Sequence, residues 1–531
     1  MTLTRRSLAL TAALLAGGLG LPAVSAVAQE LKIGLSSEPS SADPHFHNLT
    51  PNNAVARHVF EPLIFMDEFQ RLGFGLAQSW KVLDDLTWEF KLKANVKFHD
   101  GSPFTADDVI FTMNRVPNVP QSPAPKTSYV RGKTFEKVDD LTIRVKTAKP
   151  EPLMLNHLAQ IEIMSAKAAA NVTTQDLNAG KGTVGTGPYQ FVEFVPGDRY
   201  VVKANAEHWG GKPRWERVTF RFLKSDPTRV AALLSGDVDI IENVPTADAA
   251  RLSKDARVTV SSALSNRIIY LHMDRHREDS PFIKAKDGSA IKNPLNDLRV
   301  RKALSMALNR QAIVERIMEN EAVSTGQLLP DTYAGTSKKI KIPAYDVDGA
   351  RKLLTEAGLL PAGFKLTIHG PNGRYTNDTK IIEAVAQMFT RIGIETTVET
   401  LPPAVFFTRA STGGPNRTPE FSMILAGWSA GTGEPSDTLK ALLGTFNPQA
   451  GTGAANRGRF SNAKMDELLA KALATVNDQQ RNALLAEATE VAMEDVGIIP
   501  IFFPKNTWAA KKGLKVTART DEYTLAMSVA R

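Results

Sequence analysis

The chain has 531 residues, a net charge of +8 and no cysteine. The missing thiols exclude disulfides, thiolate metal cages, a cysteine nucleophile and a cysteine-linked lipid anchor. The basic excess is spread along the chain among acids with no long run. It reads as a solvated surface with a mild positive field, and not as a nucleic-acid stripe.

Arg5 and Arg6 are the only charges in the first 28 residues. An apolar run from Leu8 to Leu21 follows, then Pro22 and the small-residue end Ala26-Val27-Ala28. A basic start, a short greasy core and an A-x-A end predict a signal peptide, 1–28, cleaved near Ala28. The run is shorter than the ~20 residues of a spanning helix, and no later segment is a better candidate, so the mature chain is expected to be soluble. Thr4-Arg5-Arg6-Ser7-Leu8 fits a twin-arginine signal, and an ordinary signal fits equally well. Export without an anchor points to a periplasm. The remaining ~500 residues exceed the ~250–300 of a single core and predict two lobes.

Downstream, strands and helices mix in an α/β pattern. Thr87 to Lys93 and Leu141 to Lys146 alternate apolar and polar residues as half-buried strands do. Each is opened by Asp-Asp-Leu-Thr, which predicts two similar hairpins. Between them Thr105-Ala106-Asp107-Asp108 reads as a capping box before a helix whose apolar face is Ala106, Val109, Ile110 and Met113. A strand is expected over Val218 to Leu223, then a helix from Asp226-Pro227 that ends at Gly236, then a buried strand from Val238 to Ile241. Asp297 caps a long helix running to Ile317. Further helices are expected over Asp346 to Leu354, Lys380 to Ile392 and Met465 to Met493, the last long or broken. Strands are expected at Lys365 to His369, Glu395 to Thr400, Phe421 to Leu425 and Ile498 to Phe503. Val116 to Lys126 and Gly444 to Gly458 read as loops.

Three patterns imitate catalytic or cofactor sites. Gly427-Trp428-Ser429-Ala430-Gly431 matches the nucleophile elbow of serine hydrolases and follows a strand. That elbow needs a helix directly behind it and a downstream histidine, whereas the last histidine is His369. Gly180-Lys181-Gly182-Thr183-Val184-Gly185 matches G-x-G-x-x-G, but polar residues precede it and a strand follows, which predicts a turn. His45 and His47 form the only close histidine pair, with no third ligand near in sequence. No cofactor and no metal are expected, and the chain reads as a binder and not an enzyme.

Several segments together resemble the solute-binding proteins, family 5, of peptide, nickel and opine importers. They are Val96 to Val109 (VKFHDGSPFTADDV), Gly185-Thr186-Gly187-Pro188-Tyr189, Ser235 to Asp239, Asp297 to Ala303, Gly427-Trp428, and Glu38-Pro39 through Asp43-Pro44-His45. The resemblance implies a two-lobed periplasmic binding protein (class II, cluster C) with an extra N-terminal subdomain and a two-strand hinge. It implies a lobe I core of 29–62, 208–274 and 501–531, an extra subdomain over 63–207, and lobe II over 275–500, with crossings near Asp274 and Pro500. It implies a monomer that closes on a small ligand and docks on the permease of an ATP-binding cassette importer. The ligand is expected to be a peptide, an opine or a related anionic or zwitterionic solute. A nickel-chelate or haem receptor of the same fold is the alternative, and a secreted hydrolase using Ser429 is the second.

The same resemblance implies the site. Trp428 is expected as an aromatic cleft wall, with core packing as the other reading, and Arg374 beside Tyr375 as the carboxylate clamp. Peptide-binding members carry an ammonium-holding aspartate three residues after the tryptophan. Gly431 stands there in this chain, with Glu434 or Asp437 as the nearest substitutes. Ser429, Thr432, Glu38, His47 and Tyr270 complete the expected set. Arg457 and Arg459 face either ligand or solvent.

Overall fold

Leu31, Ile33 and Leu35 point inward from strand Glu30–Leu35, and this alternation seats the strand at the centre of the first lobe. The computed structural model describes residues 29–531, so the expected signal peptide lies outside the described residues. Strand Glu30–Leu35 runs parallel to Arg217–Phe222 on one side and to Ile240–Ile241 on the other. Arg217–Phe222 continues antiparallel to Arg199–Ala204, which pairs with Tyr189–Val195.

The second half of the same thirteen-stranded sheet is built on Arg267–Met273, buried along its whole length. It lies antiparallel to Met423–Ser429, which runs parallel to Phe364–Pro371, itself parallel to Glu395–Leu401. Helix Asp378–Arg391 covers this half with Ile381, Ile382, Val385 and Phe389.

One strand, Ile498–Lys511, belongs to both halves. Its first residues pair with Arg267–Met273 and its last seven with Val258–Leu264. Partners change at Ser265–Asn266 on the way out and at Pro504–Lys505 on the way back, and not at Asp274 and Pro500. The segment Arg267–Met273 is hydrophobic enough for either lobe, and only its pairing with Met423–Ser429 assigns it to the second.

The extra subdomain is a four-stranded antiparallel sheet. The two expected hairpins, Ala77–Asp84 with Thr87–Leu92 and Lys133–Asp139 with Thr142–Thr147, join through Thr87–Leu92 and Thr142–Thr147. Its core runs from Leu63 to Ile163. Residues 189–204, expected inside this subdomain, instead extend the main sheet, and Met164, Ala169 and Leu177 pack in the lobe I core. The Thr105 capping box forms, with the Asp108 carboxylate accepting from Thr105 N at 2.9 Å.

The expected helix from Asp297 to Ile317 is two helices, Leu298–Met306 and Arg310–Arg316. The Asn309 side chain accepts from Ala312 N at 2.9 Å and restarts the second. Likewise Asn477 caps Asp478–Glu494 and separates it from Ala463–Leu473. Among the described residues no helix is long and apolar enough to cross a membrane.

Candidate functional site

Strand Met423–Ser429 carries the site to the cleft. Met423 to Ala426 are buried, and the strand emerges at Gly427-Trp428-Ser429. There it borders a cavity of about 1130 Å³ lined from both lobes. Gly427 must lack a side chain, since a Cβ would sit 2.8 Å from both Ile269 Cδ1 and Tyr375 Cε1. The bare backbone lets the Tyr375 hydroxyl donate to Gly427 O at 3.1 Å and fixes that ring beside Trp428.

The loop after Phe364–Pro371 presents Arg374. Buried Asp378 organises it, its carboxylate accepting from Gly373 N, Arg374 N and Tyr375 N at 3.1, 2.8 and 3.0 Å. The Arg374 guanidinium lies 5.1 Å from the Tyr375 ring centroid and has no carboxylate within ion-pair distance among the described residues. Arg457 is similarly placed. It donates to Ser411 Oγ at 3.1 Å, lies over Phe407 at 5.2 Å, and also lacks a carboxylate there. Both line the cavity. Arg267, by contrast, is committed to Glu522 at 2.7 Å. Two guanidiniums with free donors beside aromatic faces have the chemistry to pair with a planar anion.

Asp437 supplies the opposite charge. Its carboxylate lines the cavity and accepts from Trp428 Nε1 at 3.3 Å. Burial pushes its pKa up to about 6, against the hydrogen bonds from Trp428 and the Gly431 amide and the charge of Lys440. Glu434, the other substitute, is spent on Arg481 at 3.2 Å and on Ser436.

The loop after the strand is gripped by side-chain amides of the extra subdomain. Gln70 donates to Ala430 O at 3.3 Å, Gln160 to Gly431 O at 3.0 Å and Asn156 to Thr432 O at 2.7 Å. Asn266, at the crossing between lobes, adds a second donor to Ala430 O at 2.9 Å.

The structure therefore brings Trp428, Arg374, Tyr375, Ser429 and Gly431 to one cavity and leaves four expected residues elsewhere. Thr432 is buried under the amide grip. Glu38 pairs with Lys224 at 2.9 Å. His47 is bonded to Ser40 Oγ at 3.0 Å. Tyr270 points into the lobe II core, because its position in the strand faces Leu328 and Phe406 and not the cleft. Arg459 stacks on Phe446 away from the cavity.

The catalytic look-alikes resolve into structure. The Ser429 hydroxyl donates to the Asn266 side-chain carbonyl, which cannot take its proton as a general base does. Gly185 and Gly187 press on the backbone of Val59, where a Cβ on Gly185 would meet the carbonyl oxygen at 1.8 Å. Both ring nitrogens of His45 are engaged, by Arg115 and by Glu162 O, and neither is free for a metal. Sequence reasoning missed Phe407, Tyr129, Gln160 and Asn266. They come from separate segments with no shared spacing.

A family model, bacterial extracellular solute-binding proteins, family 5 (middle), matches residues 72–450. The chain belongs to this family. Among curated family 5 relatives, the haem-binding protein A of Haemophilus influenzae is 29% identical over 488 residues, covering 85% of this chain and 83% of its own. The glutathione-binding protein GsiB of Salmonella choleraesuis is 28% identical over 495 residues, covering 92% and 91%. The solved Helicobacter pylori DppA, in complex with the peptide STSA, superposes with a TM-score of 0.76 at 24% identity over 94% of this chain and 97% of its own. That likeness shows the two-lobed family 5 fold. The chain is thus an extracytoplasmic solute-binding protein of family 5.

Proposed function

We propose that the cleft captures a small zwitterionic or anionic solute of peptide-like or opine-like character. Its carboxylate lies on Arg374 and Arg457, its flat portion between Trp428 and Tyr375, and its cationic group at Asp437. The observation that carries this reading is the pair of guanidiniums without carboxylate partners on one cavity wall. The glutathione-binding relatives agree with it. In this reading the protein has no catalytic step. It is cleaved near Ala28, closes about Ser265–Asn266 and Pro504–Lys505, and hands its ligand to the permease.

The haem or nickel-chelate reading lacks a free imidazole. His208 is the only histidine lining the cavity among the described residues, and its ring is held by Glu61 at 3.1 Å.

Native mass spectrometry of gently purified mature protein tests the proposal. A co-purified organic carboxylate supports it; a metal chelate or porphyrin overturns it. Arg374→Ala is then expected to weaken binding of that carboxylate roughly 10- to 100-fold, the worth of a charge-assisted pair. Unchanged affinity removes Arg374 from the site.

A further inference from the structure

The large apolar side chains most exposed in the cleft lie on one side of it. The lobe II side presents Arg374, Arg457 and Asp437. The opposite side presents Leu49, Phe65, Phe74, Trp209 and Met527, which are 38, 46, 59, 38 and 43% exposed and line the same cavity, interleaved with charged residues such as Arg57, Glu61, Lys212 and Asp521. Large apolar side chains scattered singly over a surface are ordinary. Several on one wall of a ligand cavity are a surface built to be covered.

Local structure holds them outward. In strand Ile64–Met66, Ile64 and Met66 are buried, so the period-two alternation turns Phe65 away from the subdomain core. Phe74 is steadied by Trp80, with ring centroids 4.9 Å apart. Trp209 is fixed by donating Nε1–H to Glu61 at 2.8 Å, while the Lys93 ammonium lies 4.5 Å from its ring centroid. These rings are set in place before any ligand arrives. The cavity volume, about 1130 Å³, leaves room beyond a small carboxylate.

We infer that the ligand is amphiphilic, with a carboxylate-bearing head on Arg374 and Arg457 and an apolar arm laid across Leu49, Phe65, Phe74, Trp209 and Met527. This rests on the reading of the arginine wall given above and adds what the other end of the ligand must be. The head alone would leave the apolar wall in water. An arm covering it gains the burial of both surfaces.

Glutathione and S-hexylglutathione share one head and differ by an apolar arm. Isothermal titration of the mature protein is expected to give S-hexylglutathione at least roughly tenfold tighter, from burial of its methylenes. In a Phe65→Ser, Phe74→Ser double variant that ratio is expected to collapse toward one. Both rings are exposed, so the fold is retained, and circular dichroism with the melting temperature verifies this. Equal affinities in the natural protein overturn the inference and leave the arginine reading standing. A ratio that survives the double variant also overturns it, and gives the apolar wall to a protein surface such as the permease. If neither compound binds, the inference falls, while the arginine reading is judged separately by the native mass spectrometry above.

Discussion

At the residue scale, Asp437 shows a site trading stability for binding. Its ordinary pKa is 3.8 and burial raises it to about 6. The folded state therefore holds the proton more tightly than the unfolded chain does. The ionised carboxylate costs stability fully above about pH 6 and not at all below about pH 4. Asp437→Asn keeps an acceptor for Trp428 Nε1–H and removes the charge. Its melting temperature is expected to exceed that of the natural protein at pH 7.5, by an amount corresponding to about 3 kcal/mol, with the difference vanishing at pH 4. A lower melting temperature at pH 7.5 would mean that the carboxylate is stabilising and not strained. That Asp437 and not Glu434 faces the cavity was not legible in the sequence. Both follow Gly431 closely, and the choice was made by Arg481, a distant residue that neutralises Glu434.

At the element scale, the amide grip on the 430–432 loop ties the extra subdomain to lobe II without any ligand. Gln70, Asn156 and Gln160 donate to three successive carbonyls. A neutral hydrogen bond is worth about 0.5–1.5 kcal/mol net, because an open cleft lets water satisfy the same groups. Asn156→Ala with Gln160→Ala is therefore expected to shift the ligand-free lobes toward the open form by about 2 kcal/mol, which is a factor of about thirty. Small-angle scattering of the ligand-free protein would show a larger radius of gyration. An unchanged profile would confine the grip to local loop ordering. The strand and the helices flanking it are legible from apolar periodicity, but the grip is not. Its donors are ordinary exposed-type amides brought together only by the docking of a subdomain.

At the scale of the whole molecule, buried neutral histidines set the acid limit. Burial lowers the pKa of His45 and His58 to about 4 and of His272 to about 3, from 6.5. A group whose folded pKa is depressed in this way resists protonation, while the unfolded chain takes the proton freely. No stability is lost above about pH 6.5, and the loss grows as pH falls toward the folded values. The melting temperature is expected to drop steadily between pH 6.5 and 4.5. His272→Phe, which keeps a buried ring and removes the titration, is expected to flatten that slope. A slope unchanged in this variant would place the acid sensitivity on other groups. These histidines lie in both lobes and at the subdomain junction, so both lobes weaken over the same interval.

The sequence by itself determined the α/β class, the two hairpins of the extra subdomain and the Thr105 and Asp297 helix caps. Each of these depends on contacts within a few residues or on composition, and local patterns carry such information. Trp428, Arg374 and Tyr375 were reached through the family resemblance and not through periodicity, and all three line the cavity. The tertiary structure alone decided which lobe owns Arg267–Met273, that residues 189–204 extend the main sheet, and that Tyr270, Glu38 and His47 stay out of the cavity. It also brought Leu49, Phe65, Phe74, Trp209 and Met527 to the cavity that Arg374 and Arg457 line. In every case the deciding contact joins segments far apart in the chain, and neither periodicity nor spacing records which distant strand or side chain will arrive.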